Sequence, residues 1–367
     1  MFCVLACVED YSIDAINYEN LLVVDGRITT DPPPYTIRLS RSSNIDAYVV
    51  NPEKGAIVTI MDQVGNLELL REVEDGVYKS SSNGMHGSIG NSYQVKIVTA
   101  DNKKTYRSNF EPILDSLSIT NVEVENETIV SDENFIALDG YRFHLHNNLS
   151  IRDTNYYFID LEETYQYHAD FVAGYKFIGH IEKNEEPYKY YTCWRTRKVN
   201  ELFVYDNDYH IGGDFDIPLN FIKKGLISSV KYSFLLHHHT ISQSAYTYFG
   251  QVKSLIGKAS NIYAIQGYPV IGNMKNVEDP SETVLGYFYA SSVTQKRYFF
   301  DFSDASFSLG CVIDFEAMRF LRFEPYSEYP IPLVQDPTTG KIGRAFGVCI
   351  DCRAAGGTII KPDFWED

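Results

Sequence analysis

Two His-x-His pairs, His144/His146 and His237/His239, are the side chains of this 367-residue chain best suited by type and spacing to do chemistry. On a β-strand, residues two apart share a face, so either pair can offer two imidazoles to one zinc ion, with His238 turned the other way. A catalytic zinc takes three protein ligands and keeps a fourth position for water. No HExxH-like helix accompanies the pairs, and nothing in their spacing brings them together. Histidines on exposed strand faces are therefore the reading adopted ahead of metal. A second candidate is DNDYHIGGDFD, where Asp206, Asp208, Asp214 and Asp216 supply the hard oxygen ligands that calcium takes. Its turn glycine is misplaced for an EF-hand, and Ile217 stands where the bidentate glutamate belongs. A solvated acidic loop is preferred, and no metal or cofactor is expected.

The six cysteines stand at 3, 7, 193, 311, 349 and 352. Cys349 and Cys352 have the spacing of a redox pair, yet RAAGG after them reads as a loop rather than a helix. Zinc would need a second close pair, and Cys193 and Cys311 are isolated in sequence. Disulfides among Cys193, Cys311, Cys349 and Cys352 are the best reading, with three connectivities open, and would pin the C-terminal tail to strands near Cys193 or Cys311. Near the start, VLAC at Val4–Cys7 has the aliphatic and small residues of a lipobox before its cysteine, but from these four residues alone an arbitrary N-terminal cysteine is the favoured reading. No GxSxG elbow, Cys–His signature or P-loop is present. Carboxylates are too many to single out an acid–base pair. An enzyme is not expected.

These residues must be positioned by strands. The chain has 28 Tyr and 22 Phe against 2 Trp, a bias toward sheets and amphipathic contact surfaces. Residues YTIRLSR (35–41), GAIVTIMD (55–62) and SYQVKIVTA (92–100) alternate apolar and polar, with turn residues between them. That pattern predicts an immunoglobulin-like β-sandwich over 21–112. Residues 113–367 read as a larger β-rich domain, and the fold class as all-β dominated. One amphipathic helix is predicted at about 242–256, with Ser242 as N-cap, Ala245, Phe249, Val252 and Ile256 on one face, and Gly257 just beyond the end. The net charge of −17 repels phosphate backbones and disfavours adsorption to anionic lipid, so nucleic acid is excluded as a partner. No run nears the roughly 20 apolar residues of a membrane-spanning helix.

Several stretches together resemble one family: ENLLVVDGRITTDPPPYTIRLSR, NPEKGAIVTIMDQVGN, EDGVYKS, YYTCW, SQSAYTYFGQVK, GNMKNVEDPSETVLGYFYASSV and CIDCRAAGGTIIKPDFW. The chain is similar, over nearly its whole length, to the Bacteroidota outer-membrane lipoproteins grouped as DUF4249. In that family a lipobox cysteine precedes the LVVDG-like strand by about a dozen residues, the place of Cys7. The resemblance implies a transthyretin-like form for the 21–112 sandwich, a signal-peptide remnant at 1–6, lipidation of Cys7 and a tether over 7–20, with the protein held at the outer membrane by its lipid alone and facing the cell exterior. It further implies a non-enzymatic accessory of a TonB-dependent nutrient receptor that binds substrate, a peptide or glycan, or docks on the receptor. The alternatives are a structural or adhesion component of the envelope and, below it, a metal-dependent hydrolase using the histidine pairs.

Overall fold

The computed structural model describes residues 20–43, 50–117, 121–131, 135–148, 155–207, 214–259, 269–302, 307–325 and 330–366. Its regular structure is mostly strand, with one α-helix and short 3₁₀ helices among the described residues. The chain forms two compact units, Met1–Asp115 with Ile241–Ser292, and Ser116–Thr240 with Val293–Asp367. The reading of 21–112 and 113–367 as successive domains thus needs correction: residues 241–292, helix included, belong to the first unit.

The first unit is a two-sheet sandwich. One sheet runs through Leu22–Thr29, Thr36–Arg41, Val77–Lys79 and Arg71–Glu74. The other runs through Thr105–Ser108, Ser92–Val98, Ile57–Asp62 and Leu67–Leu69. Alternation puts Val24, Ile28, Ile37 and Leu39 inward from one sheet and Val58, Ile60, Val95 and Ile97 from the other, all nearly inaccessible. Each such side chain contributes about 1.5–3 kcal/mol of burial. The late segment completes both sheets: Leu285–Asp301 begins parallel to Leu22–Thr29, with Val23 opposite Leu285 and Thr29 opposite Ser291, and Met274–Asn276 pairs with Thr105–Ser108. A parallel pair cannot be closed by a tight hairpin, and here the connection runs through more than two hundred residues. Gly286 sits at φ +83° with the Val24 backbone against it, a place where no Cβ fits.

The helix spans Gln243–Ala259. Ser242 caps it, its Oγ accepting from Ala245 N and its carbonyl from Tyr246 N. Ala245 is fully buried, and Tyr248 and Phe249 pack on Tyr287 and Tyr289 with ring centroids 4.8–6.2 Å apart. The expected stripe ends early, because Ile256 is exposed, and Gly257 lies within the last turn rather than past it.

A buried carboxylate ties the helix to the sandwich. Glu111, 2 % exposed, accepts from Ser242 Oγ at 2.5 Å, Tyr287 Oη at 2.7 Å, Asn273 Nδ2 at 3.0 Å and Ser244 Oγ at 3.4 Å. Three of these donors share one oxygen, so Glu111→Gln keeps their acceptor but turns an N–H toward Ser242. The expected cost is about 2 kcal/mol, since hydrogen bonds to a buried charge are worth about 1.5–3 kcal/mol. Urea unfolding of the variant checks this; unchanged stability would show the network to be incidental.

In the second unit, a three-stranded sheet (Asn121–Val130, Ala137–Asn148, Asp214–Lys223) faces a larger one. The larger sheet is made of Thr192–Lys198, Tyr156–His168, Lys231–Ile241 and the strand Leu285–Asp301 after it leaves the first unit at Ser292. Between them lies an aromatic core in which Phe143 stacks on Tyr232 at 5.3 Å and meets Phe234 edge-on at 5.2 Å. The cysteines resolve to one connectivity, Cys193–Cys352 and Cys311–Cys349. The first bond lies in that core and draws the tail alongside Thr192–Lys198, where Trp194 and Thr358 exchange two backbone hydrogen bonds of 2.8 Å. Farther on, Trp365 donates from Nε1 to Gln166 at 3.2 Å, so the tail is fastened at three successive points.

Candidate functional site

The second unit contains a cleft of about 310 Å³ whose floor is polar, and the strands explain how it forms. On Tyr156–His168, Leu161, Glu163, Tyr165 and Tyr167 share the buried face, so the pattern drives a carboxylate into an apolar row. Arg197 stands directly opposite Glu163 in the antiparallel register, and its Nε donates to Glu163 Oε1. Tyr232 donates to Glu163 Oε2 at 2.7 Å, and Asn220 Nδ2 donates to Tyr232 Oη at 2.9 Å. Glu163 and Asn220 are each 3 % exposed, whereas the Arg197 side chain is 46 % exposed at the mouth.

Asn220 arrives there through a β-bulge. Between Asp214–Lys223 and its neighbour, Arg142 pairs with Phe221 and His144 with Pro218, so Leu219 and Asn220 together oppose Phe143 alone. The extra residue breaks the two-residue period, and Leu219 and Asn220 are consecutively buried. Burial, then the charge of Glu163, push the Tyr232 hydroxyl far above its ordinary pKa, so it remains a donor. For Arg197, burial opposes the charge, but the hydrogen bond and charge of Glu163 outweigh it and raise its pKa. The result is a fixed chain of donors and acceptors ending at Asn220 Oδ1, which is buried and has no hydrogen-bond partner among the described residues. Sequence reasoning passed over these residues. The available signals were an asparagine inside the apolar run IPLNFI and a glutamate in phase with Leu161 and Tyr165.

The residues singled out from sequence are distributed differently. His144 and His146 lie 6.5 Å apart, and each faces a carboxylate: His144 Nδ1 bonds Asp216 Oδ1 at 2.9 Å, and His146 Nε2 is 3.8 Å from Glu123 Oε2. The LLHHHT run corrects the expectation of exposed histidines, since His238 and His239 are each 1 % exposed and His237 is half-buried. His238 shares a hydrogen bond with Tyr205 and packs 5.0 Å from the Tyr157 ring, while His239 Nε2 lies 3.6 Å from Asp160 Oδ2. Burial first, and the charge of His239 second, lower the His238 pKa to about 3. Among the described residues no three His, Cys, Asp or Glu side chains gather as a metal site. Asp208 and the side chain of Asp214 lie outside the described residues, as does Cys7; Asp206 is half-buried and Asp216 is the partner of His144.

A further cleft, of about 270 Å³, lies beside Cys311. Its carboxylate, Asp170, already accepts from Ser308 Oγ and from the Leu309 and Cys311 amides at 2.9–3.1 Å, so it serves to hold that loop. No helix among the described residues is long and apolar enough to cross a membrane. The chain belongs to the family described as Domain of unknown function (DUF4249), whose model matches residues 8–297. No curated protein matches it.

Proposed function

We propose that this DUF4249 member is an exported protein, anchored to the outer membrane through a lipid on Cys7 and facing the cell exterior, where it serves a TonB-dependent nutrient receptor as a non-enzymatic accessory that binds substrate or docks on the receptor. The observation that carries the reading is the pair of disulfides in the second unit, because such bonds form and persist in oxidising compartments outside the cytosol. Val4 and Ala6 before Cys7 supply the lipobox pattern. Two or more acyl chains on one cysteine give stable anchoring, at about 0.8 kcal/mol per buried methylene. The polar cleft supports a binding role. Its carboxylate has one oxygen engaged by Arg197 and the other by Tyr232, an arrangement that fixes positions rather than moving protons.

The test is metabolic labelling with a palmitate analogue, together with capture from detergent-solubilised outer membranes. The wild-type chain takes the label, fractionates with the outer membrane and brings down a TonB-dependent receptor. Cys7→Ala takes no label and moves to the soluble fraction. An unlabelled wild-type chain sinks the anchor, and a labelled chain that captures no receptor sinks the accessory role.

A further inference from the structure

We infer that the cleft floored by Glu163 and Asn220 binds a compact acid, a ligand that carries a carboxylate and, beside it, a neutral O–H or N–H donor. The inference rests on the substrate-binding form of the function proposed above and names the chemistry of that substrate.

The donor requirement follows from Asn220. A carboxylate only accepts, so the Tyr232 hydroxyl, 2.7 Å from Glu163 Oε2, must give it its proton. Tyr232 can then only accept from Asn220, which must present its amide nitrogen at 2.9 Å. The side-chain amide therefore cannot be flipped, and its carbonyl is left as a buried acceptor without a protein partner. Leaving such a group unmet costs about 1–3 kcal/mol, which a ligand donor recovers. The β-bulge that turns Asn220 inward is the kind of irregularity found where a sheet re-aims a side chain toward a site.

The carboxylate requirement follows from the mouth. Arg197 commits Nε to Glu163 and keeps its outer guanidinium edge, in a side chain 46 % exposed. Lys198 and Lys223 also line the cleft and enter no ion pair among the described residues. Three cationic side chains thus meet two carboxylates, Glu163 and Glu201, on a chain whose net charge is −17. That local excess draws an anion and disfavours an ammonium as the donor for Asn220, leaving a hydroxyl or an amide. A volume of about 310 Å³ is at the lower end for small-ligand clefts and suits one sugar or one or two amino-acid residues. A sugar acid supplies the hydroxyl form of this chemistry, and the C-terminal residue of a peptide supplies the amide form.

Titration calorimetry of the full chain at low ionic strength tests the inference with three probes: glucuronate, glucose and N-acetylglycine. At least one of the two acids binds saturably, and glucose, which lacks the carboxylate, binds at least about tenfold more weakly than the better acid. Preference for glucuronate assigns the hydroxyl source, and preference for N-acetylglycine the peptide source. Lys223→Glu, an exposed change, weakens the better acid about tenfold at unchanged melting temperature, and Asn220→Ala weakens it about fivefold or more. The inference is overturned if neither acid saturates by about 50 mM, if glucose binds as well as the acids, or if Lys223→Glu leaves affinity unchanged. Labelling at Cys7 and receptor capture involve none of these residues, so failure of the anchoring and accessory roles is seen separately.

Discussion

Replacing Cys193 and Cys352 together by alanine lowers the stability of the second unit by about 5 kcal/mol. The bond closes a loop across a sequence separation of 159, and the chain-entropy relation gives about 5 kcal/mol for a loop of that size against about 4 for the Cys311–Cys349 separation of 38. Alanine is chosen because both sulfurs lie in the apolar core at 0 % exposure, where serine would add the separate penalty of a buried hydroxyl. For a unit of about 200 residues the loss corresponds to a fall of about 10–20 °C in melting temperature. The two bonds also differ in access. Cys311 and Cys349 are half-buried, whereas Cys193 and Cys352 are covered by the aromatic core. Graded reductant with alkylation and mass spectrometry therefore labels Cys311 and Cys349 while the chain is still native. Cys193 and Cys352 become labelled only as the unit unfolds. A double variant that melts within a degree or two of wild type would show that Trp194–Thr358 pairing and Trp365 hold the tail without the bond.

Local pattern announced the elements and said little about their partners. The alternation in YTIRLSR, GAIVTIMD and SYQVKIVTA appears as Thr36–Arg41, Ile57–Asp62 and Ser92–Val98, because a period of two is enforced by one buried face. The helix was legible for a similar reason, its cap and inward residues lying within a few turns of one another. The parallel pairing of Leu285–Asp301 with Leu22–Thr29 was not, since no local period records which distant strand completes a sheet. Nor was the cleft. Its lining joins Glu163, Arg197 and Asn220 from three strands, with Tyr232 of a fourth bonded behind them, and the asparagine inside IPLNFI does not by itself reveal the bulge that turns it inward. The histidines were misjudged because hydropathy counts histidine as polar, while the residues that cover His238, Tyr157 and Tyr205, come from other strands.

Acid weakens this protein well above the range in which its carboxylates titrate, and His238 is the main cause. Its ring is 1 % exposed, held by Tyr205 and faced by Tyr157, and its pKa falls to about 3 in the folded chain against an ordinary 6.5. Burial also lifts both tyrosine hydroxyls, Tyr205 well above the ordinary value and Tyr157 to about 12, so neither supplies a charge to stabilise an imidazolium in acid. Between these two histidine pKa values the unfolded chain binds a proton that the folded chain refuses. Stability therefore rises with pH across that interval, is complete above about pH 6.5, and is lost as pH falls toward about 3. A difference of this size corresponds to roughly 3–5 kcal/mol, at about 1.4 kcal/mol per pH unit. His168, whose pKa burial also lowers, adds a slope of the same sign. His238→Gln separates the two: its amide oxygen can still accept from Tyr205, but it does not titrate. Urea unfolding at intervals from pH 7.5 to pH 4.5, above most carboxylate titration, should show the variant with a pH slope shallower than wild type by about one proton. Parallel slopes for the two proteins would mean that His238 either stays protonated when buried or is hydrated in solution, and the acid sensitivity would then belong to His168 and the carboxylates.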